Sequence, residues 1–551
     1  MARKKRNGQT QTPVNGVVQS SLPFMPSADE RLDISTLETW LWDAACAIRG
    51  ATDAPKFKDF ILPLVFYKRL SDVFKDEVAD YAAGSISEDE AMWEIEDDHA
   101  DALKTGRPPI VRFYIPPAYS WDKIRNHGAD GHLGEFVTDA MREVARQNPL
   151  LDGVLNIKDF NERQSGQRTL DEEHLASLIE VVSRHRLGLK NTEPDILGRA
   201  YEYLLRKFAE GQGQSAGEFY TPKEVGWLMA ELISAGPHST VYDPTCGSGG
   251  LLIKARLLFE KQHPEWTTKA PKLFGQELNP VTFAISKMNM FLHDYTDSTF
   301  AIGDTFRRPG FTEGNKLQRF DYIVANPMWN QDNYDDAFYD NDTWERFNYG
   351  KPTKSSADWG WVQHMFASLN DGGRAAIVLD SGAVSRGSGS KSSNREREIR
   401  KEFVERDFIE GVVLLPENLF YNTTAPGIIL LLNQSKPENR RQQFLLINAS
   451  AYFIKEKPKN VLSDEGIAAV SEVYRNWETR EKLSRVVTLD EIRSADYNLS
   501  SSQFVDINDK AKYRPISEIL TDLRIASKER EKADEELSKL LLRLGMNNEI
   551  A

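Results

Sequence analysis

The run Val241-Tyr242-Asp243-Pro244-Thr245-Cys246-Gly247-Ser248-Gly249-Gly250 sets a short apolar strand, ending on an acid, before a glycine-rich turn. The apolar stretch 251–259 behind it reads as a helix. Glycines in such a turn let the backbone approach a ligand closely, and Asp243 is placed to accept hydrogen bonds from it. The glycine spacing is not that of the dinucleotide fingerprint, and no Lys-Ser/Thr pair closes a phosphate loop. Alone, such a turn is also a common structural device. From Gly211 to about residue 435, short apolar runs alternate with longer amphipathic ones, which predicts repeating strand–helix units and an α/β sheet. The expected strands are 240–242, 272–276, 299–302, 322–325, 375–379, 411–415 and 428–432. The last two are separated only by residues 416–427, too few for a helical crossover, so they should pair as a hairpin and leave the sheet mixed at one edge.

Two further strands end on acids. Glu277 closes the second in Gly275-Gln276-Glu277-Leu278-Asn279-Pro280, and Asp304 follows the third in Ile302-Gly303-Asp304-Thr305. An acid after the second strand of a doubly wound sheet commonly holds ribose hydroxyls. Buried acids are costly without partners, so three in succession point to a ligand. Ribose hydroxyls and amino groups without phosphate would satisfy them, and S-adenosyl-L-methionine has that description.

The fourth strand runs into Asn326-Pro327-Met328-Trp329, which resembles the Asn-Pro-Pro-aromatic tetrad of amino-methyltransferases with Met328 in place of the second proline. An exocyclic ring amine is a poor nucleophile because its lone pair is delocalised. Two acceptors, the Asn326 side-chain oxygen and the Pro327 carbonyl, would favour a tetrahedral nitrogen. Trp329 offers a stacking face to an extruded base. Standing alone, the tetrad would read as an Asn-Pro turn beside a core tryptophan. Upstream, in Gly217-Glu218-Phe219-Tyr220-Thr221-Pro222-Lys223-Glu224, Thr221-x-x-Glu224 reads as a capping box with Pro222 opening the helix. The aromatic pair before it suits a lid over the methionine end of the cofactor.

The flanks are helical. Ser35-Thr36-Leu37-Glu38 fits a capping box, Leu37, Leu41, Ala44, Ala45 and Ile48 follow at helical spacing, and Gly50 is a plausible stop. Pro63 is expected near a turn or kink in the apolar stretch 57–74. The eight acids between Glu88 and Asp101 read as a solvated surface. Beyond about residue 480 the chain is expected to be helical. There Ile519, Leu523, Ala526, Ala533, Leu537, Leu540 and Leu544 step by threes and fours, a seam suited to this protein's own surface or to a partner helix. Expected domains are a flexible tail at 1–30, a helical N-terminal domain at 31–190, a catalytic domain at 191–480 and a C-terminal helical segment at 481–551.

Length and composition agree with several soluble domains: 551 residues, 40% apolar and 28% charged. No apolar run approaches the length needed to cross a bilayer, and Arg3, Lys4, Lys5 and Arg6 precede no signal-peptide core, so a cytoplasmic setting is expected. Cys46 and Cys246 are too few for a cysteine-built zinc site. A net charge of −14 means that DNA, if it is the substrate, must be held by a local patch or with a partner's help. The Ser/Gly-rich stretch 385–393, followed by Arg395, Arg397, Arg400 and Lys401, reads either as a mobile phosphate-contacting loop or as an exposed loop before a charged helix.

Read together, these segments resemble the modification (methyltransferase) subunit of type I restriction–modification systems, a gamma-class DNA adenine-N6 methyltransferase. The motif order carries the resemblance, with Leu41-Trp42-Asp43-Ala44-Ala45, Lys68-Arg69-Leu70-Ser71-Asp72 and Leu415-Pro416-Glu417-Asn418-Leu419-Phe420-Tyr421 extending it over most of the chain. It implies a Rossmann-like class I S-adenosylmethionine-dependent methyltransferase domain. It implies cofactor contacts from Glu218, Phe219, Tyr220, Thr221, Pro222, Lys223, Ser248, Gly249, Gly250 and Glu277. Asp243 and Asp304 are added, the latter beside the cofactor's adenine, and no metal is expected. Asn326, Pro327 and Trp329 would carry the chemistry. DNA would be the substrate, a specificity subunit would choose its sequence with two methyltransferase chains per specificity chain, and a restriction subunit would complete some assemblies. The family's terminal helices pack on the specificity subunit, which assigns the 519–544 seam to a partner. Alternatives are an enzyme for RNA or protein glutamine, and a cofactor-binding but silent assembly subunit, the latter motivated by Met328.

Overall fold

Strands apolar at every position need cover on both faces, and the computed structural model of the chain supplies it around one nine-stranded sheet. The structure describes residues 32–53, 56–128, 131–151, 154–155, 158–164, 167–192, 196, 198, 200, 203–204, 221–332, 334–420, 423–457, 459–507 and 516–543. The strands of the sheet are β1 (Thr240–Asp243), β2 (Lys272–Glu277), β3 (Thr299–Ile302), β4 (Phe320–Ala325), β5 (Leu369–Asp380), β6 (Ile409–Leu414), β7 (Gly427–Asn433), β8 (Gln443–Asn448) and β9 (Ser484–Thr488). Their spatial order is β9-β8-β6-β7-β5-β4-β1-β2-β3. Strands β7 and β9 run against the others.

Alternation decides which core each side chain enters. In β7, Ile428, Leu430 and Leu432 join the aromatic-rich core that contains Phe306, Trp359 and Phe403. Ile429 and Leu431 point the other way, into the core with Leu228, Leu252 and Val473. The first is covered by helices Asp358–Ala367 and Arg395–Glu405, the second by Lys223–Ile233, Gly250–Gln262 and Asp464–Asn476.

The structure corrects the sequence reading at several points. β6 and β7 do pair antiparallel, but inside the sheet, because β8 and β9 continue beyond β6. Those two strands lie past the expected end of the strand–helix series, and β9 lies past residue 480, where only helix was expected. β9 is short and half-exposed at the sheet edge, so its apolar signal is weak. The first helix is Ile34–Ala47, capped by Asp33, which accepts from Thr36 N at 2.7 Å, and not by Ser35. Pro63 lies inside the continuous helix Phe57–Ala82.

Helices Ile34–Ala47, Phe57–Ala82, Leu133–Gln147 and Glu172–Val182 build the N-terminal core, and helix Pro280–Leu292 is shared with it. Ala284, Ile285, Met288, Phe291 and Leu292 are buried in that core, Phe291 packs 5.3 Å from Phe113, and Arg112 Nη1 donates to Leu292 O at 2.7 Å. The segment Lys68–Asp72 is structural: Lys68 pairs with Asp72 in the interior, Asp72 accepts from Leu187 N at 2.7 Å, and Arg69 donates to the Leu187 and Gly188 carbonyls.

Residues 506–551 form a second unit, which contains the long helix Ile516–Arg543. Leu523, Leu537 and Leu540 are exposed on it, and Leu544 lies outside the described residues, as do residues 1–30. In the 385–401 stretch the arginines serve the protein itself. Arg400 is wholly buried and donates to Tyr497 O, Ala383 O, Arg386 O and Ser388 Oγ, Arg395 pairs with Asp336, and Arg397 with Asp496. That favours a structured loop before a charged helix over a phosphate grip. Among the described residues, no helix is long and apolar enough to cross a membrane.

Candidate active site

The chain passes from β1 to β2 and β3 on one side, then returns to β4 on the other side of β1. At such a reversal the loops leave in opposite directions and a crevice opens at the carboxyl ends of the strands. Parallel register sets Tyr242 beside Ile323, so the Asp243 turn and Asn326 leave the sheet at neighbouring points on one edge.

The glycine turn is tightly determined. Gly247 and Gly249 have φ of 53° and 82°, a region that disfavours side chains. A Cβ on Gly249 would stand 2.6 Å from Met290 Cε. Asn289 Nδ2 donates to Ser248 O at 2.9 Å, fixing the turn to helix Pro280–Leu292. Gly249 then caps helix Gly250–Gln262.

The three carboxylates are in place, and each is engaged by backbone. Asp243 is 1% exposed and accepts from Thr245 N at 2.9 Å. Burial pushes its carboxyl up to about 8, against the Thr245 N–H that stabilises the charged form, and the Glu277 charge adds to the rise. Glu277 accepts from Gly247 N at 3.0 Å and from Asn279 N at 2.8 Å, tying the β1 turn to the β2 turn. Asp304 accepts from Phe306 N at 2.9 Å and Arg307 N at 3.1 Å. Thr305 Oγ1 donates to Pro244 O at 2.6 Å, joining the third loop to the first. The premise that these acids lack protein partners is therefore corrected: backbone N–H groups supply part of what a ligand was expected to give.

Across the crevice, Asn326 is 7% exposed and held at both ends. Its Nδ2 donates to Thr221 Oγ1 at 3.0 Å, and its Oδ1 accepts from Trp329 Nε1 at 3.1 Å. Thr221 is thus not a helix cap. Helix Lys223–Ile233 begins after Pro222 with no side-chain cap, and the Thr221 hydroxyl turns toward Asn326. Trp329 is 8% exposed and packs edge-on against Phe420, centroids 4.9 Å apart. Gly427 leaves room for both rings, since a Cβ there would lie 2.6 Å from Phe420 and 3.1 Å from Trp329. Pro327 is buried and Met328 half-buried. Lys223 Nζ lies 4.0 Å from Glu224. Glu218, Phe219 and Tyr220 lie outside the described residues.

Asn330, at φ 53°, donates its backbone N–H to Asp358 Oδ1 at 2.8 Å. Asp358 is fully buried and bridged by Arg386, which also meets Asp380 and Glu396. This brace sits one residue past the tetrad, where Met328 replaces the rigid second proline. Sequence reasoning missed it, along with Phe420 as the partner of Trp329. The positive φ of Asn330 carried a signal, since asparagine tolerates that conformation best among non-glycine residues.

A family model for N-6 DNA methylases matches residues 192–512, and one for the HsdM N-terminal domain matches 37–182. Two type I restriction enzyme methylase subunits of Methanocaldococcus jannaschii are 38% and 36% identical to the chain, over 86% and 81% of it and 79% and 74% of their own lengths. The chain belongs to this family of type I restriction methylase subunits. The crystal structure of a type I restriction–modification methyltransferase subunit from Streptococcus thermophilus superposes with a TM-score of 0.67 at 29% identity, covering 86% of this chain and all of that one. For a type I methylase subunit the RNA, glutamine and silent-subunit alternatives lose their support.

The donor set at the switch point fits S-adenosyl-L-methionine: carboxylates at three strand ends suit hydroxyl and amino groups, and at Gly247 an added Cβ would meet nothing within 4 Å, so the turn's backbone is open to close approach.

Proposed function

We propose that this methylase subunit transfers a methyl group from S-adenosyl-L-methionine to N6 of an adenine extruded from duplex DNA, in a cytoplasmic assembly whose separate specificity subunit selects the sequence. The observation that carries the reading is the Thr221–Asn326–Trp329 chain of hydrogen bonds, which joins the start of helix Lys223–Ile233 to the tetrad beside the β1 crevice. Bound in the crevice, the cofactor supplies an electrophilic methyl on a sulfonium.

On the cofactor side, Glu277 would accept from the ribose hydroxyls, and Asp243 would take donors from the amino-acid end. Asp304 would accept from the adenine's amino group, Ser248 to Gly250 would bring the backbone close, and Thr221, Pro222 and Lys223 would border the methionine end. On the target side, Asn326 is oriented for one task. Donation from Nδ2 to Thr221 fixes the orientation of the amide, and of the two lone pairs on Oδ1 the Trp329 N–H occupies one. The other accepts an N6 hydrogen, and the Pro327 carbonyl accepts the second. The nitrogen would then be held tetrahedral, its lone pair free to form the new N–C bond as the methyl's C–S bond is broken, and the extra proton would pass to water. Alignment does the catalytic work, with no strong base required. Trp329, with Phe420 packed edge-on against it, would wall the base on its far side.

The test is transfer of labelled methyl by the chain with its specificity subunit, followed by nucleoside analysis. Label in N6-methyladenine is expected, and Asn326→Ala should abolish it while cofactor affinity is retained. Equal rates in variant and wild type would remove Asn326 from catalysis.

A further inference from the structure

Beyond β8 the chain forms a small hairpin, Phe453–Ile454 paired with Val461–Leu462. Adjacent strand residues point to opposite faces, yet Phe453 is 41% exposed and Ile454 53% exposed. Both faces of that first strand therefore present exposed apolar surface. Its root is firm: Leu462 is 1% exposed within the sheet core, and Ser463 N donates to Tyr452 O at 3.1 Å. Past Ile454 come Lys455, Glu456 and Lys457, all exposed, with a net charge of about +1 over the three on a chain of net charge −14.

The hairpin is joined to the site. Lys459 Nζ donates to Asn418 Oδ1 and Thr423 O, both at 3.0 Å, and Asn460 donates to Asn418 O and Glu417 O. Asn418 belongs to the β6–β7 connection, and the same connection carries Phe420 against Trp329. β8 runs parallel to β6, with Asn448 beside Leu414, so the hairpin rises from the sheet edge that also carries Asn326. Large apolar side chains beside lysines, on the sheet edge that carries the proposed target-base site, match what a distorted duplex presents: unstacked base faces bordered by phosphates.

We propose that the 453–462 hairpin braces duplex DNA beside the extruded base, Phe453 and Ile454 pressing on the exposed base step while Lys455 and Lys457 meet neighbouring phosphates. This rests on the DNA-methylation reading above. The measurement is fluorescence anisotropy of a labelled mixed-sequence duplex titrated with the full chain in complex with its specificity subunit, over a range of salt concentrations. K455Q/K457Q should weaken binding and lower the slope of log affinity against log salt by about 2, one unit for each phosphate no longer neutralised. F453A/I454A should weaken binding about tenfold with the slope unchanged. Cofactor affinity, melting temperature and co-elution with the specificity subunit should match wild type in both.

Unchanged affinity and slope in both variants would overturn the proposal. Loss of co-elution with unchanged DNA affinity would also overturn it, assigning the surface to a protein partner. Binding is read without turnover, so the two readings fail separately. A wild-type complex that binds DNA through the hairpin but makes no N6-methyladenine refutes the methylation reading alone. A complex that methylates adenine while both hairpin variants bind normally refutes the brace alone.

Discussion

Replacing Thr221 with valine keeps the shape of the side chain and removes the one acceptor that holds Asn326 Nδ2 at 3.0 Å. Asn326 is 7% exposed, so its freed N–H finds little water, and a buried donor left unpaired costs about 1–3 kcal/mol. Trp329 Nε1 still holds the oxygen end, which restrains the amide and puts the expected loss in the lower part of that range. At about 1.4 kcal/mol per factor of ten, the rate should fall about 5- to 30-fold. The assay is single-turnover transfer of labelled methyl at saturating cofactor and DNA, with cofactor affinity measured separately by calorimetry because Thr221 borders the crevice. Thr221→Ser restores the hydroxyl and should return the rate to near wild type. A valine variant within about twofold of wild type, at saturation of both substrates, would show that the Thr221 bond does not orient the catalytic amide.

Three further outcomes are expected. The carboxyl of Asp243 sits near 8, above its ordinary value, so the stability it contributes is complete below about pH 4 and is lost as pH rises toward 8. Asp243→Asn should therefore raise the melting temperature of the ligand-free chain at pH 8 relative to wild type, flatten its fall between pH 4 and 8, and weaken cofactor binding; parallel melting curves for the two proteins across that range would contradict the burial argument. Gly249→Ala forces a side chain into φ 82° against Met290 and should cost about 1–2 kcal/mol, read as a lower melting temperature and weaker cofactor affinity, whereas an unmoved midpoint would mean the turn relaxes. Asp358→Ala strands the Asn330 N–H and one arm of Arg386, so methyl transfer should drop by at least about tenfold with cofactor affinity unchanged; full activity would show that the tetrad needs no brace.

Much of the sheet and of the candidate site's position was legible because the signals are local. Acids at strand ends, a glycine turn before a helix and the Asn-Pro tetrad each sit within ten residues, and the strands that position them are apolar runs. What escaped was set by long-range contacts. Thr221 looked like a helix cap because Glu224 stands three residues on, but its hydroxyl is taken by a residue 105 positions away. Arg400 belonged to an apparent basic surface and proved to be a buried donor, since nothing local reveals the four acceptors around it. β9 was lost to its exposure at an edge. The carboxylates were read as lacking partners because backbone N–H groups carry no sequence signature.

The helix Pro280–Leu292 has one end in each camp: its first turn follows Glu277, and its apolar flank is sealed into the N-terminal core. Expressing residues 192–512 alone would leave Ala284, Ile285, Met288, Phe291 and Leu292 facing solvent, and such a fragment should aggregate or lose the cofactor pocket. The boundary that sequence families draw near residue 190 is therefore a seam in inheritance, and truncation studies on this subunit need the N-terminal core to keep helix Pro280–Leu292 and the turn it holds in place.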